Sequence, residues 1–345
     1  MEPKDLDKYS RQILFHGIGR DGQQHLSQCS AVLVGCGAIG TAVANLLVRS
    51  GIARLRILDR DFVEPSNLQR QVLFEESDAR ESLPKAVAAE RRLRAINSDA
   101  QVEGIVADLT PDNAADLLTG FPLILDGADN FETRLLVNDA AVSMGIPWIY
   151  TAAVGSYGVS MTVIPGETAC LACLLEGQEQ AAGLGLEETC DTAGILNAAV
   201  GVVASMEAAE ALKILAGRRE ALHRRLVSCD VWTGRVQSIG VARDPACRAC
   251  VRREFRYLDA VAQPHITMCG RDSVQIHERN RKLDLSELGN RLTAASASDI
   301  RRNEFLLRFR VPPYEMTVFA NGRAILKGTR DPAIARSIYA RYIGT

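Results

Sequence analysis

The sequence predicts an α/β protein, a doubly wound and mostly parallel sheet, followed by a small α+β module. Short apolar runs typical of buried strands alternate with helical stretches along residues 31–216. A Gly-x-Gly-x-x-Gly segment stands between the first strand and the helix after it. Acidic residues follow two of the strands at their carboxyl ends, where open α/β sheets bind ligands.

The strands of the first domain are apolar runs bounded by polar or glycine residues. We predict them at Ala31–Val34, Leu55–Leu58, Val102–Val106, Phe121–Leu125, Pro147–Thr151 and Val159–Val163. Helices are expected from the glycine segment to Leu47, from Pro84 to Ile96, and from about Thr192 to Ala216. The segment Leu226–Ile239 indicates a hairpin, and Gly177–Gly185 is typical of a mobile crossover loop.

A second unit follows, and we place the domains at 1–255 and 264–345. Strands are predicted at Ser273–His277, Phe305–Arg310, Tyr314–Phe319 and Arg323–Lys327, with a hairpin turn at Asn321-Gly322. Leu285, Leu288 and Leu292 mark one face of a helix. Asp331-Pro332 caps a last helix, whose buried face we predict to be Ile334, Ile338 and Tyr342.

Composition and charge narrow the class of protein. The apolar runs are too short to cross a bilayer, and the charged N-terminus lacks the apolar core of a signal peptide. We therefore expect a soluble cytoplasmic protein. Residues 251–345 carry 17 Lys and Arg against 10 Asp and Glu. These charges are scattered and lack interleaved aromatic residues, which argues against nucleic-acid binding and favours a solvated or protein-binding surface.

The glycine segment Gly35-Cys36-Gly37-Ala38-Ile39-Gly40 exposes backbone N–H groups at a helix N-terminus and so predicts an anion site. Asp59 lies at the end of the next strand, where it could bind ribose hydroxyls. By itself this pattern is typical of a Rossmann dinucleotide site.

The residues that follow favour ATP cleavage over a nicotinamide dehydrogenase. Negative charge develops at the α-phosphate during that reaction and has to be met by cations. Arg70 and Lys85 are placed for this role, and Asn67 lies beside them in the run Ser66-Asn67-Leu68-Gln69-Arg70-Gln71.

Taken together, these motifs resemble the adenylation core of the ThiF/MoeB and ubiquitin-activating family. The match also includes Asp126-Gly127-Ala128-Asp129-Asn130 and runs from about Tyr9 to Cys250. The resemblance implies that Asp59 binds ribose, that Asn67, Arg70 and Lys85 bind phosphates, and that Asp129 holds Mg²⁺. Asp126 is the alternative metal ligand, or a buried helix cap.

The expected site residues can be given as two sets. Those that we expect to line the ATP site are Gly35, Gly37, Ala38, Gly40, Asp59, Asp61, Ser66, Asn67, Arg70, Lys85, Asp129 and Asn130. Those that we expect to act in catalysis are Arg11, Arg70, Lys85, Asp129 and Cys190.

The resemblance also implies partners. Tyr9-Ser10-Arg11-Gln12 is similar to the family's N-terminal motif, whose Arg reaches into the neighbouring protomer's ATP site, so a homodimer is expected. The expected substrate is a ubiquitin-like or sulfur-carrier protein ending in Gly-Gly, whose C-terminal carboxylate is adenylated. Other acceptors in the superfamily are a peptide or a tRNA-linked carboxylate, and a further alternative is a non-catalytic scaffold.

Two C-x-x-C pairs predict a structural zinc site. They supply four thiolates, Cys170, Cys173, Cys247 and Cys250, which would complete a tetrahedral shell and leave no position for water. A redox role would not need two pairs. This spacing matches the zinc knuckles of ThiF/MoeB-like proteins.

Cys190 stands between the crossover loop and the long helix. Cys in this region of the family can accept the activated carboxylate as a thioester or take part in persulfide chemistry. A helix N-terminus would lower the pKa of its thiol, whereas Asp191 would raise it. Residues 264–345 do not resemble a rhodanese domain, so sulfur delivery by this chain itself is not expected.

Overall fold

The computed structural model describes residues 7–176, 193–260, 265–267, 272–276, 282–294 and 297–344. The chain divides into two compact units, Met1–Ala260 and Val261–Thr345. No helix in the described part of the chain is long and apolar enough to cross a membrane.

The first unit is built on an eight-stranded sheet with the strand order β3-β2-β1-β4-β5-β6-β7-β8. Its strands β1–β8 span Ser30–Val34, Arg54–Asp59, Gln101–Val106, Ile124–Asp126, Trp148–Val154, Tyr157–Val163, Leu226–Asp230 and Arg235–Ile239. Strands β1 to β5 pair in parallel, and β6 to β8 continue the sheet antiparallel. The predicted doubly wound, mostly parallel fold is confirmed.

Helices cover both faces of this sheet. Helices α1–α9 span Ser10–Leu14, Gly19–Leu26, Ala38–Ser50, Glu76–Glu81, Lys85–Ile96, Ala114–Leu118, Phe131–Met144, Leu171–Glu176 and Asn197–Leu215. Helix α3 packs between α5 and α9 on one side, and α7 packs between α6 and α8 on the other. Strand β1 lies between β2 and β4, so the order of the strands along the chain reverses beside β1. A crevice opens at this point, at the carboxyl ends of the three strands.

Among the element boundaries that differ from the sequence prediction, two have a clear physical cause. Strand β4 begins at Ile124 rather than Phe121, because Pro122 has no N–H for the ladder. The long helix begins at Asn197, since the preceding backbone is extended and pairs with Gly155, whose N–H bonds to the Gly194 carbonyl at 2.9 Å. The predicted crossover loop at 177–185 lies outside the described residues.

In its described residues, the second unit consists of a six-stranded antiparallel sheet and two helices. The sheet order is β11-β12-β13-β14-β10-β9. Strands β9–β14 span His265–Thr267, Ser273–Ile276, Ser298–Arg302, Leu306–Val311, Tyr314–Phe319 and Ala324–Lys327, and helices α10 and α11 span Leu285–Ala294 and Pro332–Tyr342. The predicted α+β class is confirmed, although β9 and β11 were not predicted.

The buried face of α10 agrees with the sequence prediction more closely than that of α11. Leu285, Leu288 and Leu292 are buried on α10 as predicted. On α11 the predicted face is right only in part: Ile338 and Tyr342 are partly buried against the core, but Ile334 is 38% exposed. The fully buried residues of the helix are Ala335 and Tyr339. The Tyr339 hydroxyl donates to the Gly322 carbonyl at 2.8 Å.

Candidate functional site

The glycine loop after β1 packs backbone against backbone on the turn after β4. A Cβ at Gly35 would lie 2.3 Å from the Gly127 carbonyl oxygen, and one at Gly40 would lie 2.1 Å from the Gly35 oxygen. Gly37 differs, since a Cβ there would have no neighbour nearer than 3.8 Å. Packing within the chain therefore requires Gly35 and Gly40 but not Gly37, which precedes the first residue of α3, Ala38, at the helix N-terminus. This is where an anion would approach the backbone.

Asp59, the last residue of β2, connects this strand to the glycine loop by hydrogen bonds. Its Oδ2 accepts a hydrogen bond from the Cys36 N–H at 2.6 Å, and its Oδ1 accepts one from the Asp61 N–H at 2.7 Å. The carboxyl is buried, and burial raises its pKa although Lys85 opposes the shift. Asp59 is thus held rigidly at the mouth of the crevice, where the ribose was expected.

Lys85 and Asp61 form a buried ion pair beside Asp59. The Lys85 Nζ lies 3.3 Å from Asp61 Oδ2, and the Lys85 N–H donates to the Asp61 carbonyl at 2.8 Å. Lys85 is the first residue of α5 and is only 4% exposed. A buried ammonium fixed at a strand end is suited to meeting a phosphate that enters the crevice.

The Ser66–Gln71 segment begins in a 3₁₀ turn, Pro65–Asn67. The buried Asn67 closes this turn, because its Oδ1 accepts from the Glu64 N–H at 3.0 Å. A phosphate would therefore meet its amide nitrogen. Arg70 is partly exposed, and its Nη1 donates to the Ser66 carbonyl at 2.8 Å.

Asp129 is the exposed carboxylate of the crevice, with 63% of its side chain accessible. Its Oδ1 accepts from Asn130 Nδ2 at 2.9 Å, while Asn130 caps α7 by accepting from the Thr133 N–H at 2.8 Å. Both polar ends of the Asn130 side chain are thus used within the chain, and they orient Asp129. An exposed, oriented carboxylate at a strand end is the type of oxygen ligand that Mg²⁺ takes.

Asp126 faces the interior rather than the crevice. Its Oδ2 accepts from Arg134 Nε at 3.0 Å, and its Oδ1 accepts from the Ala128 N–H at 2.9 Å. The helix-cap alternative for Asp126 is wrong, since Asn130 is the cap. Arg134 also donates to the Ala128 carbonyl at 2.8 Å, so it braces the turn that carries Asp129.

Several residues of this site were missed by sequence reasoning. Glu207 of α9 is fully buried and accepts from the Asp126 N–H at 2.9 Å. Arg60 and Asp108 pair at 3.2 Å beside Asp129. Arg60 could have been noticed because it stands between two acidic residues at a strand end. Nothing in the sequence signals Glu207, which lies in an apolar helix far along the chain.

The N-terminal motif is anchored so that Arg11 points outward. The buried Tyr9 hydroxyl accepts from Asn97 Nδ2 at 3.0 Å, and Gln12 Nε2 donates to the Ser50 carbonyl at 2.9 Å. Arg11 is exposed and makes no hydrogen bond or ion pair with the residues that the structure describes. Cys190 lies outside those residues.

The two C-x-x-C pairs converge on one buried cluster. The four sulfur atoms all lie within 4.8 Å of one another, with Cys170–Cys247 at 3.6 Å, Cys173–Cys250 at 3.5 Å and Cys170–Cys173 at 3.8 Å. A tetrahedron with Zn–S bonds of about 2.3 Å has sulfur–sulfur edges of about 3.8 Å. These thiols are therefore spaced as a tetrahedral zinc ion requires, and the Asp244 N–H donates to Cys173 Sγ at 3.5 Å.

The cysteine cluster is attached to α7 by hydrogen bonds. Arg248, between Cys247 and Cys250, donates through Nη1 to both oxygens of the fully buried Asp139 at 3.0 Å. The Leu171 N–H, between Cys170 and Cys173, donates to Asn138 Oδ1 at 2.8 Å. The helix that begins beside Asp129 is thus attached to both halves of the cysteine cluster.

Known proteins resemble this chain in sequence and in fold. The ThiF family model matches residues 9–249. The sulfur carrier protein ThiS adenylyltransferase of Bacillus subtilis is 46% identical over 341 residues, which cover 98% of this chain and 99% of that protein. The sulfur carrier protein adenylyltransferase of Thermus thermophilus is 37% identical over 253 residues, 72% of this chain and 91% of that protein. The crystal structure of E. coli MccB with ATP superposes with a TM-score of 0.61 at 25% identity, covering 71% of this chain and 74% of that one.

Proposed function

Because the chain belongs to the ThiF family and is an adenylyltransferase, we propose that it adenylates the C-terminal carboxylate of a ubiquitin-like or sulfur-carrier protein. The observation that carries this proposal is the convergence of the glycine loop, the buried Lys85 and the exposed Asp129 at the ends of β1, β2 and β4. A relative of nearly the same length, named for the sulfur carrier ThiS, supports the class of substrate.

In the proposed reaction a carboxylate oxygen of the partner attacks the α-phosphorus of ATP. The bond from that phosphorus to the bridging oxygen breaks, and pyrophosphate leaves with the electron pair. The products are an acyl adenylate and pyrophosphate. Two C-terminal glycines on the partner would let its chain enter the crevice in an extended form without side chains.

The chain's own residues would bind and orient the nucleotide. The α3 N-terminus at Gly37-Ala38 faces a phosphate, and Asp59 takes the ribose hydroxyls. Asn67, Arg70 and Lys85 offset charge on the phosphates. The ion pair of Lys85 with Asp61 holds the ammonium in place before the nucleotide enters.

Asp129 would hold Mg²⁺ together with oxygens of the nucleotide, as Mg²⁺ sites with one or two carboxylates do. The ion would supply positive charge at the phosphates and add to that of Arg70 and Lys85. The fit rests on the chemistry and exposure of Asp129, since Asp126 is occupied by Arg134 and backbone N–H groups.

A homodimer would complete the site, with Arg11 acting on the nucleotide of the neighbouring protomer. The anchoring of Tyr9 and Gln12 supports this role, because it leaves Arg11 exposed on a fixed helix. The cysteine cluster would hold a structural zinc ion. Cys190 is retained as the proposed acceptor of the acyl group.

ATP–pyrophosphate exchange with a candidate carrier protein tests the function. Asp129→Ala should lower exchange by roughly 100- to 1,000-fold, the usual cost of losing one group that stabilises transition-state charge. Its melting temperature should stay close to wild type, since the side chain is largely exposed. The matched control is Asp116→Ala, an exposed carboxylate of the same unit. Exchange at the wild-type rate by Asp129→Ala would contradict the metal-ligand assignment, and exchange without a carrier's terminal glycines would contradict the substrate.

A further inference from the structure

Arg60 joins the ends of three strands across the crevice. It follows β2 directly, and its Nη1 lies 3.2 Å from both carboxylate oxygens of Asp108, which comes after β3. Its Nη2 lies 3.9 Å from Oδ1 of Asp129, which comes after β4. One guanidinium therefore faces two carboxylates that are far apart in the sequence.

The two carboxylates differ in exposure. The side chains of Arg60 and Asp108 are 14% and 9% exposed, so their contact is held in place by the surrounding chain. The side chain of Asp129 is 63% exposed and remains open to solvent and to ligands. The charge of Arg60 is thus largely offset by Asp108, and the remainder acts on the carboxylate that faces the crevice.

We propose that Arg60 is a positioning residue that competes with the metal ion for Asp129, an inference that rests on the proposed function. A cation beside a carboxylate stabilises its charge without metal, so metal binding has to weaken or displace that contact. Without a nucleotide, Asp129 therefore holds Mg²⁺ weakly. The phosphates of ATP supply the additional ligands, so that metal and nucleotide enter the site together.

Asp108 sets the strength of this competition. In the wild-type chain, the negative charge of Asp108 partly offsets the electrostatic attraction between Arg60 and Asp129. Arg60→Gln removes the competing charge, so the Mg²⁺ concentration at the midpoint for nucleotide binding should fall. Asp108→Asn leaves more of the charge of Arg60 to act on Asp129, so the midpoint should rise. We expect changes of roughly two- to five-fold in each direction, because the contact with Asp129 is solvent-exposed.

The experiment measures nucleotide binding rather than turnover. Calorimetric titrations of the full chain with an ATP analogue carrying a methylene between the α- and β-phosphates are repeated over a series of Mg²⁺ concentrations. Arg60→Lys keeps the charge and should stay near the wild-type midpoint. If Arg60→Gln does not fold, Asp108→Asn tests the proposal by itself and has to raise the midpoint.

Double variants locate the effect. In an Asp129→Asn background, Arg60→Gln should no longer lower the midpoint, because the carboxylate for which Arg60 competes is gone. An equal decrease in that background would place the metal on Asp108 and overturn the proposal. Equal midpoints for wild type, Arg60→Gln and Asp108→Asn would also overturn it. A wild-type chain that does not bind the analogue at any Mg²⁺ concentration would instead contradict the proposed function itself.

Discussion

The cysteine cluster and the crevice at the strand ends are built in opposite ways, although one helix, α7, touches both. The cysteine cluster collects four side chains of one type from two short motifs, and all of them are buried. The crevice collects side chains of different types from several strand ends, and some, such as Asp129, are exposed. The first arrangement serves stability, and the second leaves groups available to substrates. Substitutions in the cysteine cluster should therefore lower stability, whereas substitutions in the crevice should lower pyrophosphate exchange.

The largest expected effect is the loss of zinc. Cys247→Ser should abolish zinc binding and lower the unfolding free energy by on the order of 10 kcal/mol, because structural zinc contributes roughly 10–16 kcal/mol to folding. This corresponds to a fall of at least about 10 °C in melting temperature. Mass spectrometry should find one zinc per wild-type chain.

Cys29→Ser is the matched control, because Cys29 lies outside the cluster and is partly exposed. It should keep its zinc and most of its stability. Wild-type protein purified without chelators and lacking zinc would contradict the assignment. A Cys247→Ser variant with unchanged zinc content and melting temperature would do the same.

The next largest effect on stability concerns the attachment of the cysteine cluster to α7. Asp139→Asn would leave the buried Arg248 guanidinium without its carboxylate, which costs about 3–5 kcal/mol. Urea denaturation should show a lower midpoint, while pyrophosphate exchange per folded molecule stays near wild type. Glu132→Gln, an exposed change on the same helix, is the control. If Asp139→Asn also loses pyrophosphate exchange at urea concentrations where it is still folded, the cysteine cluster and the crevice do not act independently.

Sequence spacing predicted the cysteine cluster almost completely, and the crevice only in part. Two C-x-x-C pairs have few other uses, so their spacing predicts the cluster that the structure contains. The glycine loop, Asp59 and Asp129 were proposed as site residues because they follow strands, and their roles stay predictions. Arg134 and Glu207 were missed, because they act on the Asp126 turn only after α7 and α9 have packed against it.

The fold was also predicted unevenly. Buried parallel strands are continuous apolar runs, and these were found in order. The face of α11 was predicted only in part, because its apolar residues form two neighbouring stripes. Ile338 and Tyr342 of the predicted stripe are partly buried, whereas Ala335 and Tyr339 of the other stripe are fully buried. The Tyr339 hydroxyl also donates to the Gly322 carbonyl.

A third effect should appear only in mixtures of two inactive chains. If Arg11 acts on the neighbouring protomer, Arg11→Ala and Arg70→Ala chains should each be inactive and should complement each other. Random mixing in equal amounts should restore roughly a quarter of wild-type exchange, since half of the dimers are mixed and each has one intact site. Each variant mixed with itself is the control. Demonstrated subunit exchange without recovered activity would exclude the trans role of Arg11.

The smallest effect is a dependence of stability on pH that comes from Glu207, behind the crevice. Burial, and then the nearby Asp126, raise the pKa of this carboxyl well above its usual range. The folded protein therefore holds a proton on Glu207 at pH values where the unfolded chain has lost it. The stability linked to this proton is fully present below the unfolded pKa and is lost as pH rises towards the folded pKa, by up to about 1.4 kcal/mol per pH unit.

Glu207→Gln should remove this loss. The amide oxygen can still accept from the Asp126 N–H, and the amide N–H₂ group replaces the carboxylic acid O–H as a donor. The variant should therefore gain stability over wild type as pH rises above about 4.5, with the difference growing until the folded pKa is passed. Urea denaturation between pH 5 and 8 measures it, with the exposed Glu220→Gln as control. If stability depends on pH in the same way for wild type and Glu207→Gln, Glu207 is ionised in the folded protein. The hydrogen bond from the Asp126 N–H would then be accepted by a charged carboxylate, next to the turn that carries Asp129.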